Sequence, residues 1–254
     1  MHKIKDAWQL GKVVVVLFLD IEGAFPNAVL LRLLRNLRKW GIPRKYMDFV
    51  RGMLSNRHTA LKFDGYTSEP IEIDNRTGQG DPLSMVMYQF YNAGLLDIPR
   101  DKSKGAIAYV DDTLLIATAE CFKEAHDKLT DMMGRAGGVT DWSKTHNSPL
   151  EYSKLALIDF AHRNNTKKRL PLQLPNRQLV PSPSTKYLGV ILDQNLNWKA
   201  QRAHTVKKGT KWASQIRRIA RPAWGIMPKY ARCLYISVAL PRILYTADIW
   251  CVMA

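Results

Sequence analysis

Val13-Val14-Val15-Val16-Leu17-Phe18-Leu19-Asp20 sets how the rest of the chain is read. A short, unbroken run of β-branched and apolar residues predicts a strand buried on both faces of a sheet, and Asp20 ends it. A second pair of apolar runs, Ala106 to Val110 and Thr113 to Thr118, is separated only by Asp111-Asp112, which predicts a tight hairpin. If these elements are neighbours in one sheet, three carboxylates meet at one edge of a dry core. Like charges that close repel and raise one another's pKa values unless something positive offsets them. A pair of Mg²⁺ ions would do so, since magnesium takes oxygen ligands and two ions about 4 Å apart serve phosphoryl transfer. Each feature also has a plainer meaning, because Asp-Asp makes an ordinary solvated turn and Asp commonly stops a strand. The flanking residues decide between them.

The bulk composition narrows the partners. With 38 Lys and Arg against 22 Asp and Glu, the net charge is +16, a field that favours a polyanion, nucleic acid above all. An apolar share of 46 % and a charged share of 24 % place the chain among folded proteins rather than disordered ones. Its 254 residues suffice for one large or two small domains with a real core. No membrane association is expected: no run approaches the roughly 20 apolar residues that span a bilayer, and the stretch from Cys233 to Ala254 is broken by Arg242 and Asp248. Cys121, Cys233 and Cys251 are far apart and odd in number, and Met1 to Asp6 lacks the apolar stretch of a secretory signal. An intracellular, reducing compartment is therefore the expectation. The six histidines show no metal-ligand spacing.

Along the chain, Val29, Leu30, Leu33, Leu34 and Leu37 predict a helix from Asn27 to Trp40, and Pro43 opens a second that ends near Asn56. Asp64-Gly65 signals a hairpin between His58–Phe63 and Tyr66–Ile73. A helix over Pro82–Leu96, apolar almost all round, is expected to be buried. An amphipathic helix over Glu120–Arg135 follows, then strands over Lys154–Phe160 and Lys186–Leu192. From Trp198 the pattern turns helical and basic, with Arg202, Lys207, Lys208, Lys211, Arg217, Arg218 and Arg221. A domain boundary is placed there, giving domains 1–197 and 198–254.

Five segments in order resemble reverse transcriptases, specifically those of non-LTR (LINE-type) retrotransposons. Asp20-Ile21-Glu22-Gly23-Ala24-Phe25 is similar to the first palm motif of that family, an Asp followed five residues later by an aromatic. Gly78-Gln79-Gly80-Asp81-Pro82-Leu83-Ser84 resembles the second and is the most specific; Tyr109-Val110-Asp111-Asp112 resembles the third. Lys154 with Leu155 to Phe160 resembles the fourth, and Lys186-Tyr187-Leu188-Gly189-Val190 the fifth.

The resemblance implies an α+β fold, a polymerase palm with an antiparallel sheet and helices on one face, followed by a helical thumb. It implies an RNA-directed DNA polymerase working by two-metal nucleotidyl transfer on an RNA template and DNA primer, with deoxynucleoside triphosphates as substrates. Asp20 and Asp111 would ligate two Mg²⁺ ions, with Mn²⁺ as an alternative, and Asp112 would support them. Phe25 would lie against the sugar and exclude a 2′-hydroxyl, although a core aromatic would also fit there. Gln79 and Gly80 would shape the pocket for the nascent pair, and Tyr109 would touch the primer end. Leu188-Gly189 would grip the primer, while Arg217, Arg218 and Arg221 would clamp the duplex, unless they form only a solvated face. Lys154 would serve the leaving pyrophosphate as proton donor or charge partner, or else be a solvated lysine.

Two departures from the family pattern stand out. Pro26 occupies the place usually held by Asp, and only Met1 to Lys12 precede Val13, where the family carries its fingers. The expectation is a palm and thumb cut from a larger retrotransposon protein. A degenerate or co-opted palm that binds nucleic acid without catalysis is the alternative, and a group II intron maturase is a close relative. A nucleotidyl cyclase would not explain Gly78 to Ser84 or the basic tail.

Overall fold

The computed structural model describes residues 1–73, 81–162, 169–175, 177–220 and 225–251. Gln79, Gly80 and Arg221, all expected site residues, lie outside the described residues. Two compact units divide the chain, Met1–Ser182 and Pro183–Ala254.

In the first unit the order is α1 (His2–Gln9), β1 (Val13–Leu19), α2 (Ala24–Asn27), α3 (Leu30–Lys39), α4 (Arg44–Leu54), then four short strands. These are β2 (Arg57–Thr59), β3 (Lys62–Phe63), β4 (Tyr66–Thr67) and β5 (Ile71–Ile73), with β3–β4 the expected hairpin and β2–β5 paired outside it. Next come α5 (Pro82–Asn92), a 3₁₀ turn at Ala93–Asp97, β6 (Lys104–Tyr109), β7 (Asp112–Ala119), α6 (Phe122–Gly134), α7 (Val139–Thr145), β8 (Ala156–Phe160) and the hairpin β9 (Leu172–Leu174) with β10 (Arg177–Leu179). The second unit holds β11 (Ser184–Tyr187), β12 (Val190–Asp193), α8 (Lys199–Ile219), α9 (Pro228–Leu234), a π-helical turn at Tyr235–Ala239, α10 (Leu240–Ile243) and α11 (Ala247–Trp250).

A four-stranded antiparallel sheet, β6-β7-β1-β8, forms the centre of the first unit. All seven residues of β1 are buried, as an uninterrupted apolar strand in a central position demands. Alternation along the strand sends Val13, Val15, Leu17 and Leu19 to one face. There they join the main apolar cluster with Leu33, Leu34 and Leu37 of α3, Tyr88 and Tyr91 of α5, and Leu129 and Met133 of α6. Helix α1, which the sequence pattern did not single out, also packs on β1 and buries Ile4 and Ala7. Among the described residues no helix is long and apolar enough to cross a membrane.

Three expectations are corrected. Helix α5 is apolar nearly all round yet only partly buried, for Met85 and Val86 are exposed while Met87, Tyr88 and Tyr91 face the core. The strand expected over Lys186–Leu192 is a hairpin that turns at Leu188 and Gly189, both at positive φ (46° and 81°), the backbone that a two-residue turn needs. The division between units falls at Ser182/Pro183, not at 197/198, because this hairpin is bonded to α8. The Gln201 side chain accepts from the Ile191 amide at 2.9 Å, and the Asp193 carboxylate accepts from the amides of Asn195, Asn197 and Trp198.

Leu17 pairs with Leu115 on one side and Leu157 on the other, all within 1 % of full burial. Leu17→Ala is therefore expected to cost about 2–5 kcal/mol, a large part of a domain's usual stability, measurable as a lowered urea midpoint at unchanged slope.

Candidate active site

Backbone pairing continues past the end of β1 and fixes Asp20. Ile21 bridges Leu150, the Glu22 amide donates to the Pro149 carbonyl, and the Glu151 amide donates to the Asp20 carbonyl, the last two at 2.9 Å. The same segment then turns, with the Lys154 amide on the Glu151 carbonyl. Lys154 Nζ thereby comes to lie 3.2 Å from Asp20 Oδ2. Asp20 holds the Lys154 ammonium above the usual lysine value, first through the hydrogen bond and then through its charge. Lys154 is largely exposed and Asp20 partly so, so the pair contributes little to stability and can exchange partners.

The other two carboxylates sit on the β6–β7 turn. Tyr109 pairs with Asp112 across it, leaving Val110 and Asp111 as the two-residue loop. Positive φ at the first loop residue alone is the pattern in which glycine is usual; here Val110 takes it, at 58°. A β-branched residue in that region stores about 1–3 kcal/mol of strain. Two interactions oppose it: the Val110 side chain is buried in the main cluster, and the Asn92 side-chain amide donates to the Val110 carbonyl. Asp111 and Asp112 then stand exposed at the tip.

The strand register brings the two sets together. Leu19 pairs with Thr113, so one step further along the ladder Asp20 comes beside Asp112. The Asp112 carboxyl is held above the usual aspartate value by partial burial first, then by the charges of Asp111 and Asp20. The three expected carboxylates thus share one electrostatic field. Among the described residues no three His, Cys, Asp or Glu side chains close into a metal-holding group, and Asp20 leans on Lys154 instead. The donors nonetheless suit a hard cation: they are all carboxylate oxygens, and magnesium is commonly held by one or two carboxylates while keeping several waters.

The remaining expected residues are distributed as follows. Phe25 lies in the short helix α2, half-buried against the core, its ring centroid 5.2 Å from that of Tyr88. Pro26 fits the first turn of that helix, where no amide donor is needed. Tyr109 is exposed at the end of β6. Asp81-Pro82-Leu83-Ser84 owes much of its pattern to helix capping: Asp81 accepts from the Leu83 amide at 3.0 Å and from Ser84 Oγ at 3.2 Å, with Pro82 opening the helix. In the second unit Leu188 and Gly189 are the tip of the β11–β12 hairpin, where Tyr245 donates to the Leu188 carbonyl. Arg217 and Arg218 are exposed near the end of α8.

A further feature of the second unit was missed from sequence. A groove of about 850 Å³ is lined by Lys186, Lys208, Lys211 and Arg242, with Trp212 and Tyr245 among its apolar walls and, among the described residues, no acidic side chain in its lining. Arg242 lies 5.6 Å over the Trp212 ring. Helix α8 carries no Asp or Glu along its 21 residues and buries only Gln201. His204, on the same helix, is held below the usual imidazole value by burial first, then by Lys208, Lys186 and Lys207. Those lysines converge although 22 positions separate Lys186 from Lys208, which is why no run in the sequence marked the groove.

Because the folded chain raises the Asp112 pKa, this group's contribution to stability is most favourable below the ordinary aspartate value near 4 and is lost as pH rises through the raised one. Asp112→Asn removes this dependence. Without added metal the variant is expected to melt up to about 2 °C above the wild type at neutral pH, after discounting for solvent screening. The gain should vanish in acid, and a scan of melting temperature against pH checks both.

Residues 1–192 match the family described as "Reverse transcriptase (RNA-dependent DNA polymerase)". The retrovirus-related Pol polyprotein from type-1 retrotransposable element R2 of Popillia japonica is 25 % identical over 260 residues, covering 96 % of this chain and 40 % of that protein. A probable RNA-directed DNA polymerase from transposon BS of Drosophila melanogaster is 22 % identical, covering 93 % of this chain and 26 % of its own length. The chain thus spans well under half of these relatives. Among solved structures, telomerase from Candida tropicalis in complex with a TWJ fragment of telomeric RNA superposes with a TM-score of 0.52 at 10 % identity, covering 76 % of this chain and 31 % of that one. An apo telomerase from the same organism, truncated from its C-terminal domain, gives 0.51; at such identities the likeness concerns the fold, an α+β polymerase palm. Matched from residue 1 to residue 192, the chain belongs to the reverse transcriptase family, with its sequence relatives among the non-LTR retrotransposons.

Proposed function

We propose that this chain carries the catalytic centre of an RNA-directed DNA polymerase that transfers deoxynucleotides by two-metal chemistry. The observation that carries the reading is the β1–β7 register, which puts Asp20 and Asp112 at one edge, where the Asp112 carboxyl is raised first by partial burial and then by the charges of Asp111 and Asp20. Asp20 and Asp111 are the proposed ligands of two Mg²⁺ ions, with Asp112 in support. When bound, the ions would activate the attacking oxygen and neutralise the leaving one. Lys154, already charged and beside Asp20, is the proposed charge partner or proton donor for leaving pyrophosphate. Phe25 is assigned to exclude a 2′-hydroxyl and Tyr109 to meet the primer end. Gln79 and Gly80 keep the pocket role that their sequence pattern implies.

Nucleic acid is the proposed polyanion for the second unit. A helix with seven Lys and Arg and no acid along its length has no internal partner for that charge, and a phosphate backbone would supply one. The cations of the groove, Lys186, Lys208, Lys211 and Arg242, are the proposed phosphate contacts, with Leu188 and Gly189 beside them holding the primer. Arg217 and Arg218 would extend the contact. The binding-only alternative has its own support, since Asp20 is occupied by Lys154 and no closed metal group exists among the described residues.

Two experiments test these assignments. Binding to an RNA–DNA duplex should weaken linearly in log salt, and changing Lys208, Lys211 and Arg242 together to Gln should reduce that slope by roughly 3, near 0.9 per cation. An unchanged slope overturns the groove assignment. In primer extension on an RNA template, Mg²⁺-dependent incorporation of deoxynucleotides should be lost in Asp111→Asn while duplex binding persists. Incorporation that survives the substitution sinks the catalytic reading. Binding without incorporation in the wild type favours the binding-only palm.

A further inference from the structure

Asn92 is the last residue of α5 and is 1 % exposed, a polar side chain in the wall of the main apolar cluster. It is 18 residues from Val110 in sequence, yet its amide donates to the Val110 carbonyl. Val110 is the loop residue held at φ 58°, and its own side chain is buried. The loop is therefore gripped at two points, by the packed isopropyl group and by the amide on the carbonyl. The next two residues are Asp111 and Asp112, whose exposed carboxylates are carried by this turn. A buried carbonyl without its donor would turn toward water, and in this loop that rotation moves the peptide joining Val110 to Asp111.

We propose that Asn92 is a positioning residue, whose amide locks the strained Val110 peptide and so aims Asp111 and Asp112 at the cation they share with Asp20. The inference rests on the metal-binding reading above but reaches a residue outside every segment that carried the resemblance to polymerases. Helix α5 supplies rigidity: its N-terminus is closed by Asp81, and the carbonyls of Phe90 and Tyr91 accept from Asn36 of α3. Tyr91 is itself tied to the His146 carbonyl. Asn92 is consequently fixed on a helix bonded to two neighbouring segments, and the turn inherits that fixity.

The test uses the full chain and two substitutions, Asn92→Leu, which keeps bulk and removes the donor, and the milder Asn92→Ser, too short to reach. Amide hydrogen exchange is read residue by residue, and Mn²⁺ alone serves as the probe cation, its binding followed by water-proton relaxation. Both variants should speed exchange at Asp112 and Thr113 by about tenfold, the factor one lost hydrogen bond gives. Val15 and Leu115 at the sheet centre should change far less, and Mn²⁺ should bind severalfold more weakly. Adding Val110→Gly, which relieves the positive φ, should cost less in the Asn92→Leu background than in the wild type, because the two residues act as one unit. Exchange that rises equally at the sheet centre, or a turn that stays protected in both variants, overturns the proposal. So does a loosened turn with unchanged Mn²⁺ affinity. A wild type whose Mn²⁺ binding ignores Asp111→Asn would instead remove the metal reading, while the exchange pattern still decides whether Asn92 holds the turn.

Discussion

Pairing Leu19 with Thr113 sets Asp20 beside Asp112, and everything proposed for the first unit depends on that register. A slip of one residue would turn each side chain of β1 to the opposite face. Val13, Val15, Leu17 and Leu19 would leave the main cluster, and Asp20 would move off the edge that carries the other two carboxylates. The register is enforced by burial on both sides of the strand, with Leu17 fixed between Leu115 and Leu157. Hydrophobic burial therefore drives together charges that oppose one another, and the Asp112 carboxyl is raised by its own partial burial first and by those charges second. The proposed cation at that edge would convert the cost into binding affinity, which is the usual relation between a destabilised polar site and its ligand.

Much of this could be read from the letters, for identifiable reasons. The strand Val13–Leu19 and the runs about Asp111-Asp112 are long, apolar and bounded by carboxylates, so both their type and their ends were legible. Helices α3, α4 and α6 follow the periodicity of their leucines and methionines. Short elements did not announce themselves: α1 buries only Ile4 and Ala7, and α7 only Val139 and Trp142, too few to make a pattern. The turn at Leu188-Gly189 was hidden because Tyr187-Leu188-Gly189-Val190-Ile191-Leu192 reads as one apolar strand, and backbone dihedrals rather than polarity interrupt it. At the site, the candidate carboxylates and Lys154 were legible because their residue types are unusual beside buried strands. Asn92 was not. Asparagine at the end of a helix is commonplace, and the bond to Val110 exists only once α5 and the β6–β7 turn are packed together.

The second unit shows a different relation between sequence and function. Charge was evident from composition, yet its placement was not. Lys186, Lys208, Lys211 and Arg242 line one groove because the β11–β12 hairpin, α8 and α10 pack together, and the arginine expected to interrupt an apolar stretch instead covers a tryptophan. Arg217 and Arg218, chosen from their position in a basic run, lie on α8 outside that lining. Counting charges predicts a polyanionic partner; the groove proposed for it emerges only from packing.

Helix α5 joins these threads within the first unit. Its 11 residues make a rod about 16 Å long at 1.5 Å per residue. The capping residues Asp81 and Ser84 stand at its start, directly after the segment assigned to the nucleotide pocket, and Asn92 stands at its end on the carboxylate turn. A hydrogen-bonded helix resists compression far better than a loop, so its two ends keep a fixed separation. Phe25 meets the same helix at Tyr88 in its middle. The residue proposed to select the sugar, the cap that follows the pocket segment and the amide that fixes the carboxylate turn are therefore referred to one rigid element. The proposed nucleotidyl transfer would need the reacting groups held to fractions of an ångström, and a single helix carrying Asp81, Tyr88 and Asn92 is a simple way for this fold to meet that demand.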